Sequence, residues 1–516
     1  MKRDTTPFFE ALGLKEDSAI GAPGAALVVS KKGTTTTKFL GLADLEANIP
    51  VNEHTAFHVA SLAKQFTALL IAHQIARRKI CLETEIGDIL TWLPERLRTC
   101  KIKHLLFHTS GIRDQWPLAY FSGLRAGDEI LTSDVEWWAS RQKELNFEPG
   151  TKFLYCNTGY TLLGLALEKL ENLPFAALMQ NEVFAPLGMR SSQIVTAPNA
   201  VILNRARGVT PTNDNTYKLS EPPYGVIGST CLRTTPADMS RWLNTRQESP
   251  FFEEARKGGF FGQGALDDGT PLKYGFGLIH TQIDGHNLLH HGGFDFGFNA
   301  VIIRCEEQKA SLFACGCGSY SKLEKAGLDF FAALLQNSTS PDYSNKKEPQ
   351  TLASAPPTAG IYASADFSDV REIFYSDNGT PHFRWLQTNA LRLAHGATYL
   401  VVGSQLTVTV VNDEQIVVKN GADEIYLSRV PIEETDEDAL CGNFYCDALE
   451  STAKITKTAN GLTIQFGRNP PEPLTVVSGK LLRWGSYWAV TSKTHAQIDT
   501  LKVSHPRCLN VAFSRV

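Results

Sequence analysis

No stretch of this 516-residue chain approaches 18 uninterrupted apolar residues, so no helix is expected to cross a bilayer. The opening MKRDTTPFFEALGLKED has two basic residues but lacks the apolar core of a secretory leader. There is no dense Lys/Arg tract and the net charge is −4, so neither nucleic acid nor an anionic membrane is expected as a partner. The ten cysteines (Cys81, Cys100, Cys156, Cys231, Cys305, Cys315, Cys317, Cys441, Cys446 and Cys508) are scattered, and none forms C-x-x-C. Without an export signal they read as free thiols, mostly buried, in a reducing cytoplasm. His54 and His58 lie four apart and Cys315-Gly316-Cys317 is a tight pair, but neither has a second ligand pair at a recurring spacing. No structural metal is expected on that basis.

What is present describes a globular protein of several domains. Hydrophobic residues make up 43% and charged residues 20%, and the length exceeds what one core supports. Residues 1–338 mix strand-like runs such as AALVVS (25–30) and AVIIRC (300–305) with the helical pattern GYTLLGLALEKLENL from Gly159. That mixture points to a sheet flanked by helices. Residues 339–359, rich in Ser, Pro, Lys and Ala, read as a linker. Beyond it come short alternating runs (LTVTVV, 406–411; EQIVVK, 414–419; LTIQF, 462–466) between Gly, Asn and Asp turns. This is all-β sequence, and it looks doubled. Gly360-Ile361-Tyr362 and Gly442-Asn443-Phe444-Tyr445 open two halves that close on YLSRV at Val430 and VAFSRV at Val516. Two antiparallel barrels are expected, 360–430 and 442–516, joined by a linker at 431–441.

The stretch FHVASLAKQFTALLIAHQI (57–75) sets Ser61 and Lys64 at the mouth of an almost wholly apolar run. Apolar positions fall on every side of the helical period, so this helix should be buried all round. A buried amine is costly without partners, and one turn of helix brings it to the serine hydroxyl. The spacing alone is weak, because S-x-x-K recurs at Ser140/Lys143, Ser319/Lys322, Ser344/Lys347 and Ser451/Lys454. The ordinary alternative is a helix-capping serine and a lysine reaching for solvent. Two further stretches bear on the choice: EPGTKFLYCNTGYTLLG (148–164), with Tyr155 and Asn157, and LLHHGGFDFGFNAVIIR (288–304), with His291 before two glycines. Glycine there permits close approach of another backbone.

Taken in order, FHVASLAKQFTA, LLFHTSGI, EPGTKFLYCNTGYTLLG, GVIGSTCLRTTPADMSRWL, YGFGL and HHGG resemble the serine β-lactamase-like, penicillin-binding hydrolases. These include class C β-lactamases, D-alanyl-D-alanine carboxypeptidases, D-aminopeptidases and related esterases. The likeness covers residues 20 to about 335, and the three-part layout resembles that of the D-aminopeptidases, with YCN for YSN and HGG for KTG. It implies an α/β (α+β) β-lactamase/transpeptidase-like catalytic domain with an antiparallel sheet flanked by helices, then two all-β barrels. Carried over, Ser61 is the nucleophile, and Lys64 or Tyr155 takes its proton. Asn157 holds Lys64 or the substrate amide. Backbone N–H groups of Ser61 and Phe294, after Gly293, form the oxyanion hole. His291 replaces a lysine, which makes the charge there pH-sensitive. Other motifs read as structural: His104 and His108 orient a loop, and Ser110-Gly111 and Gly228-Ser229 are turns, either of which could line the cleft. A substrate ammonium calls for a carboxylate. Glu472, in the loop FGRNPPEPL (466–474), and Asp295 are the two candidates.

The function this implies is a cytoplasmic serine peptidase or amidase releasing N-terminal D-amino acids from short peptides or amides through an acyl-enzyme, with no cofactor. Its partner is a small peptide, amide or ester, and a homodimer is left open. One alternative is an esterase or a carboxypeptidase or β-lactamase-type hydrolase on the same machinery. The other is a ligand-binding protein whose hydrolase domain is inactive.

Overall fold

The computed structural model describes residues 4–15, 21–214, 216–336, 357–385, 388–401, 406–420, 423–433, 435–493 and 497–516. The expected linker at 339–359 lies outside these residues except for 357–359, as does the Ser344/Lys347 pair. The chain falls into two compact units, Met1–Ile112 with Gly127–Tyr343, and Arg113–Ala126 with Ser344–Val516.

In the first unit seven strands form one antiparallel sheet. They are β1 (Ala25–Lys31), β2 (Thr34–Leu40), β3 (Tyr274–Gly275), β4 (Leu278–Ile283), β5 (His286–Asp295), β6 (Phe298–Cys305) and β7 (Ala310–Gly316), in the order β3-β4-β5-β6-β7-β1-β2. Every residue of β6 and β7 is buried, which explains their unbroken apolar runs: both faces of the sheet are covered. Alternation along β6 divides the core. Ala300 and Ile302 join a cluster with Phe66 and Leu69 of helix α1 (Ala63–Ala76). Val301, Ile303 and Cys305 pack with Phe330 and Phe331 of helix α3 (Leu323–Leu335). Helix α2 (Asn157–Glu171) completes the frame around the site.

α1 is buried all round, as its sequence predicts: Ala63 to Gln74 are all buried. Phe66 lies with its ring centroid 4.4 Å from that of Trp242, and Trp242 Nε1–H donates to the Gln65 amide oxygen at 2.9 Å. Burying side chains of this size contributes about 1.5–3 kcal/mol each. Gln65 on α1 is thus answered inside the core rather than turned to water.

The second unit is all-β apart from short helices. Eight strands from Gly360–Ala363 to Asp423–Arg429 close into a barrel, and nine from Gly442–Cys446 to Cys508–Arg515 form one sheet. Closure removes exposed strand edges. Tyr362, Ile373, Phe383, Val408, Val418 and Leu427 fill the barrel. Trp488 and Leu481 of the second sheet, with Val477 beside it, pack on Ala363 and Val370 of the first, and Arg483 pairs with Glu372 at 2.6 Å. The short helix Glu437–Leu440 lies within the expected linker 431–441. The sequence pattern does not signal that 113–126 belongs here: helix Gln115–Phe121 stacks Phe121 on Phe466 at 5.4 Å, and Arg113 donates to the Leu509 carbonyl at 2.9 Å. Among the described residues no helix is long and apolar enough to cross a membrane.

Candidate active site

Ser61 sits on a short 3-10 turn, Ala60–Leu62, that leads directly into α1. Ala60 adopts φ +47°, a left-handed conformation that costs a non-glycine residue about 1–3 kcal/mol and is held only by surrounding structure. Neither this turn nor α1 has a side-chain cap, so the serine is not acting as an ordinary helix cap. Lys64 does not reach solvent either, because none of it is exposed.

Its amine is instead held from three directions. Lys64 Nζ lies 2.8 Å from Asn157 Oδ1, 2.8 Å from the Ser229 carbonyl and 3.2 Å from Ser61 Oγ. Asn157 is the first residue of α2. Ser229 reaches the amine because Gly228 is pressed onto α2: a Cβ there would stand 2.1 Å from the Tyr160 carbonyl oxygen. The tetrahedral nitrogen thus spends two N–H groups on fixed acceptors. Its third direction meets the serine, offering a lone pair when neutral and a third donor when charged.

Tyr155 covers the amine, with its ring centroid 4.9 Å from Lys64 Nζ. His108, expected to orient a loop, is positioned to do so for Tyr155. Its Nδ1 accepts from the Cys156 N–H at 3.0 Å, and its ring lies 4.2 Å from that of Tyr155. His291 is 6.1 Å from Tyr155, ring to ring. The structure departs from expectation in the state of this imidazole. Burial, reinforced by the Lys64 charge, pushes its pKa down to about 3, so the ring is neutral across the physiological range rather than a pH-sensitive cation. It donates from Nδ1 to the Gly292 carbonyl at 2.6 Å and accepts at Nε2 from the Tyr274 hydroxyl at 3.1 Å. Burial holds the Tyr274 phenol well above its usual pKa, so it keeps the proton that it donates.

The strand carrying His291 passes directly over the serine turn. A Cβ on Gly293 would stand 2.4 Å from the Val59 carbonyl oxygen, so only glycine lets the two backbones approach this closely. Phe294 follows in register with Asn299 of β6, and the residue is 64% exposed. Ser61, Lys64, Tyr155, Asn157, His291 and Gly293 therefore share one site. Glu472 belongs to the second unit, where it accepts a hydrogen bond from the Tyr120 hydroxyl. Sequence reasoning placed Ser229 in a turn that could line the cleft but gave no role to its backbone oxygen, which carries the contact, nor to Tyr274, which opens the YGFGL stretch. Among the described residues, His286, Cys305 and Glu307 bring metal-capable atoms within 4.8 Å of one another. They lie at the far end of β5 from Asp295.

Residues 14–355 match the Beta-lactamase family. The chain belongs to the beta-lactamase family. Within it, the D-aminopeptidase of Brucella ovis is 24% identical over 290 residues, covering 56% of this chain and 55% of that one. The chain thus spans about half the length of that curated relative. Penicillin-binding protein 4* of Bacillus subtilis is 26% identical over 324 residues, which is 59% of this chain and 69% of that protein. Among solved structures, D-amino acid amidase from Ochrobactrum anthropi SV3, complexed with L-phenylalanine amide, shares the fold. Its TM-score is 0.52 at 21% identity, over 64% of this chain and 97% of that one.

Proposed function

We propose that this beta-lactamase-family chain is a serine hydrolase that forms an acyl-enzyme on Ser61 and releases N-terminal D-amino acids from short peptides or amides. The observation that carries the reading is the buried Lys64 amine, held by Asn157 and the Ser229 carbonyl with its remaining direction on Ser61 Oγ. In the proposed reaction the Ser61 hydroxyl oxygen bonds to the substrate carbonyl carbon as its proton passes to Lys64 or Tyr155. The negative oxygen is met by the backbone N–H groups of Ser61 and Phe294; such donors are worth about 3 kcal/mol each in a transition state. The C–N bond then breaks as the leaving nitrogen takes the proton, and water hydrolyses the ester by the reverse proton route.

The choice of a D-aminopeptidase over a carboxypeptidase rests on charge. A substrate ending in a carboxylate calls for a cation where KTG-type enzymes carry lysine, and His291 stands there as a buried ring pushed down to about 3. A neutral imidazole offers such a substrate little. The names of the Brucella D-aminopeptidase and the Ochrobactrum D-amino acid amidase agree with an amine-bearing substrate. The test is turnover of D-alanine p-nitroanilide, its L-enantiomer, p-nitrophenyl butyrate and nitrocefin by the full chain and by Ser61→Ala. The D-anilide should be preferred and all turnover lost in the variant. Equal rates on both anilides would remove the D-aminopeptidase assignment.

A further inference from the structure

β5 turns alternate residues to opposite faces of the sheet. Gly292 faces α3, since a Cβ on it would collide with the Glu324 carboxylate at 2.2 Å. Gly293 faces the serine turn, against Val59. His291 and Asp295, two residues to either side of Gly293, therefore share the face that looks onto Ser61. One is the neutral imidazole described above; the other is a carboxylate. Asp295 Oδ2 lies 3.2 Å from His58 Nε2, on the short strand Phe57–His58 that runs into the serine turn. Two residues, Val59 and Ala60, separate His58 from Ser61.

Among the described residues no lysine or arginine pairs with Asp295. Its one ion-pair partner among the described residues is His58, and burial lowers the pKa of that imidazole. The neutral ring donates a hydrogen bond and fixes the carboxylate's direction without cancelling its charge. The contrast is Glu221, whose charge is also felt at His58 but which is answered by Arg205 at 2.6 Å and Arg233 at 3.3 Å. Asp295 also remains reachable: its side chain is 20% exposed, against 3% for His58. An oriented, uncompensated carboxylate beside a nucleophile is a place for a cation.

We propose that Asp295, held by His58, receives the α-ammonium of the substrate, setting the scissile carbonyl over Ser61. The inference rests on the proposed hydrolase reading of this cleft, and it chooses Asp295 over Glu472 as the acid that recognises the amine. In an α-aminoacyl group the ammonium nitrogen is two bonds, about 2.5 Å, from the carbonyl carbon. The acid that binds it must therefore lie among the residues around the nucleophile, and β5, which carries Asp295, runs against the serine turn.

Calorimetry on Ser61→Ala, which cannot turn the ligand over, tests this directly. The two ligands are D-alanine p-nitroanilide and its desamino analogue, propionic acid p-nitroanilide. The amine should bind about 10- to 100-fold more tightly. Ser61→Ala/Asp295→Asn should lose that preference while holding the desamino analogue as before, which also shows the cleft intact. Should the Asn variant fail to fold, Asp295→Ser takes its place. Equal affinity for both ligands, binding of neither, or a preference that survives loss of Asp295 overturns the proposal. Turnover by the wild-type chain reports separately: an amine preference without D-anilide hydrolysis keeps Asp295 as the ammonium site and removes the D-aminopeptidase function.

Discussion

Lys64 Nζ stands 2.8 Å from Asn157 Oδ1 with none of the lysine exposed, so the two residues form one buried polar unit. Removing the amide leaves the amine short of an acceptor in a dry site, a loss that costs about 1–3 kcal/mol and more when the group is charged. Asn157→Leu should therefore lower both the melting temperature and the rate of p-nitrophenyl butyrate hydrolysis. Asn157→Asp should spare stability and still lose rate, because a carboxylate holds the lysine protonated. Melting curves and initial rates on the two variants check this. A fully active Asn157→Leu would show that the amide does not tune the amine.

Gly293 carries a second prediction. Its missing Cβ is what lets β5 lie against Val59, with 2.4 Å to the carbonyl oxygen at stake. That atom is backbone and cannot swing aside, so Gly293→Ala should push the strand off the serine turn and lower kcat by about 100-fold or more, with far-UV circular dichroism unchanged. Gly159 in α2 is the control: its nearest neighbour would be 3.6 Å away. Gly159→Ala should leave activity intact and stabilise by about 0.5–1 kcal/mol through helix propensity.

Much of this was legible in residues 57–75, where a lysine inside an all-round apolar period demands partners. The alternation of 406–411 and 462–466 likewise announces strands, and strands lie there. Three things were not legible, each for a physical reason. The Ser229 contact uses a backbone carbonyl, which every residue type carries, so no side chain announces it. The neutrality of His291 depends on full burial and on its distance from Lys64, both products of tertiary packing. Residues 113–126 join the second unit through partners such as Phe466 and Leu509, more than 300 positions away, and local pattern does not encode so distant a choice.

Tyr120 and Glu472 supply the third prediction. The phenol donates to the carboxylate and accepts from Trp484 Nε1–H at 3.2 Å, and its ring stacks on Tyr487 at 4.5 Å. Glu472 thus already has a partner within its own unit. Glu472→Gln keeps an acceptor for Tyr120 and should shift stability by less than about 1 kcal/mol, whereas Tyr120→Ala should cost about 3–5 kcal/mol by removing the ring. Neither change should alter the preference for an amine-bearing ligand over its desamino analogue. A selective loss of amine binding in Glu472→Gln would instead mark this acid as the ammonium site.

Acid should weaken the second unit through His505. Its ring packs 5.0 Å from Tyr487, and burial, helped by the Arg507 charge, pushes its pKa from 6.5 down to about 3. In the unfolded chain the imidazole takes a proton as pH falls below about 6.5, while the folded chain refuses it until about 3. The contribution to stability is therefore complete above 6.5 and is lost as pH drops through that window. Down to pH 5 the loss from this one residue is about 2 kcal/mol. His505→Asn retains an acceptor for the Arg507 backbone N–H, which His505 Nδ1 takes at 3.2 Å, but it cannot titrate. Urea unfolding at pH 7 and pH 5, followed by tryptophan fluorescence, should show a smaller acid shift in the variant than in the wild type. An identical shift in both would mean that the imidazole is protonated in the folded chain as readily as in the unfolded one.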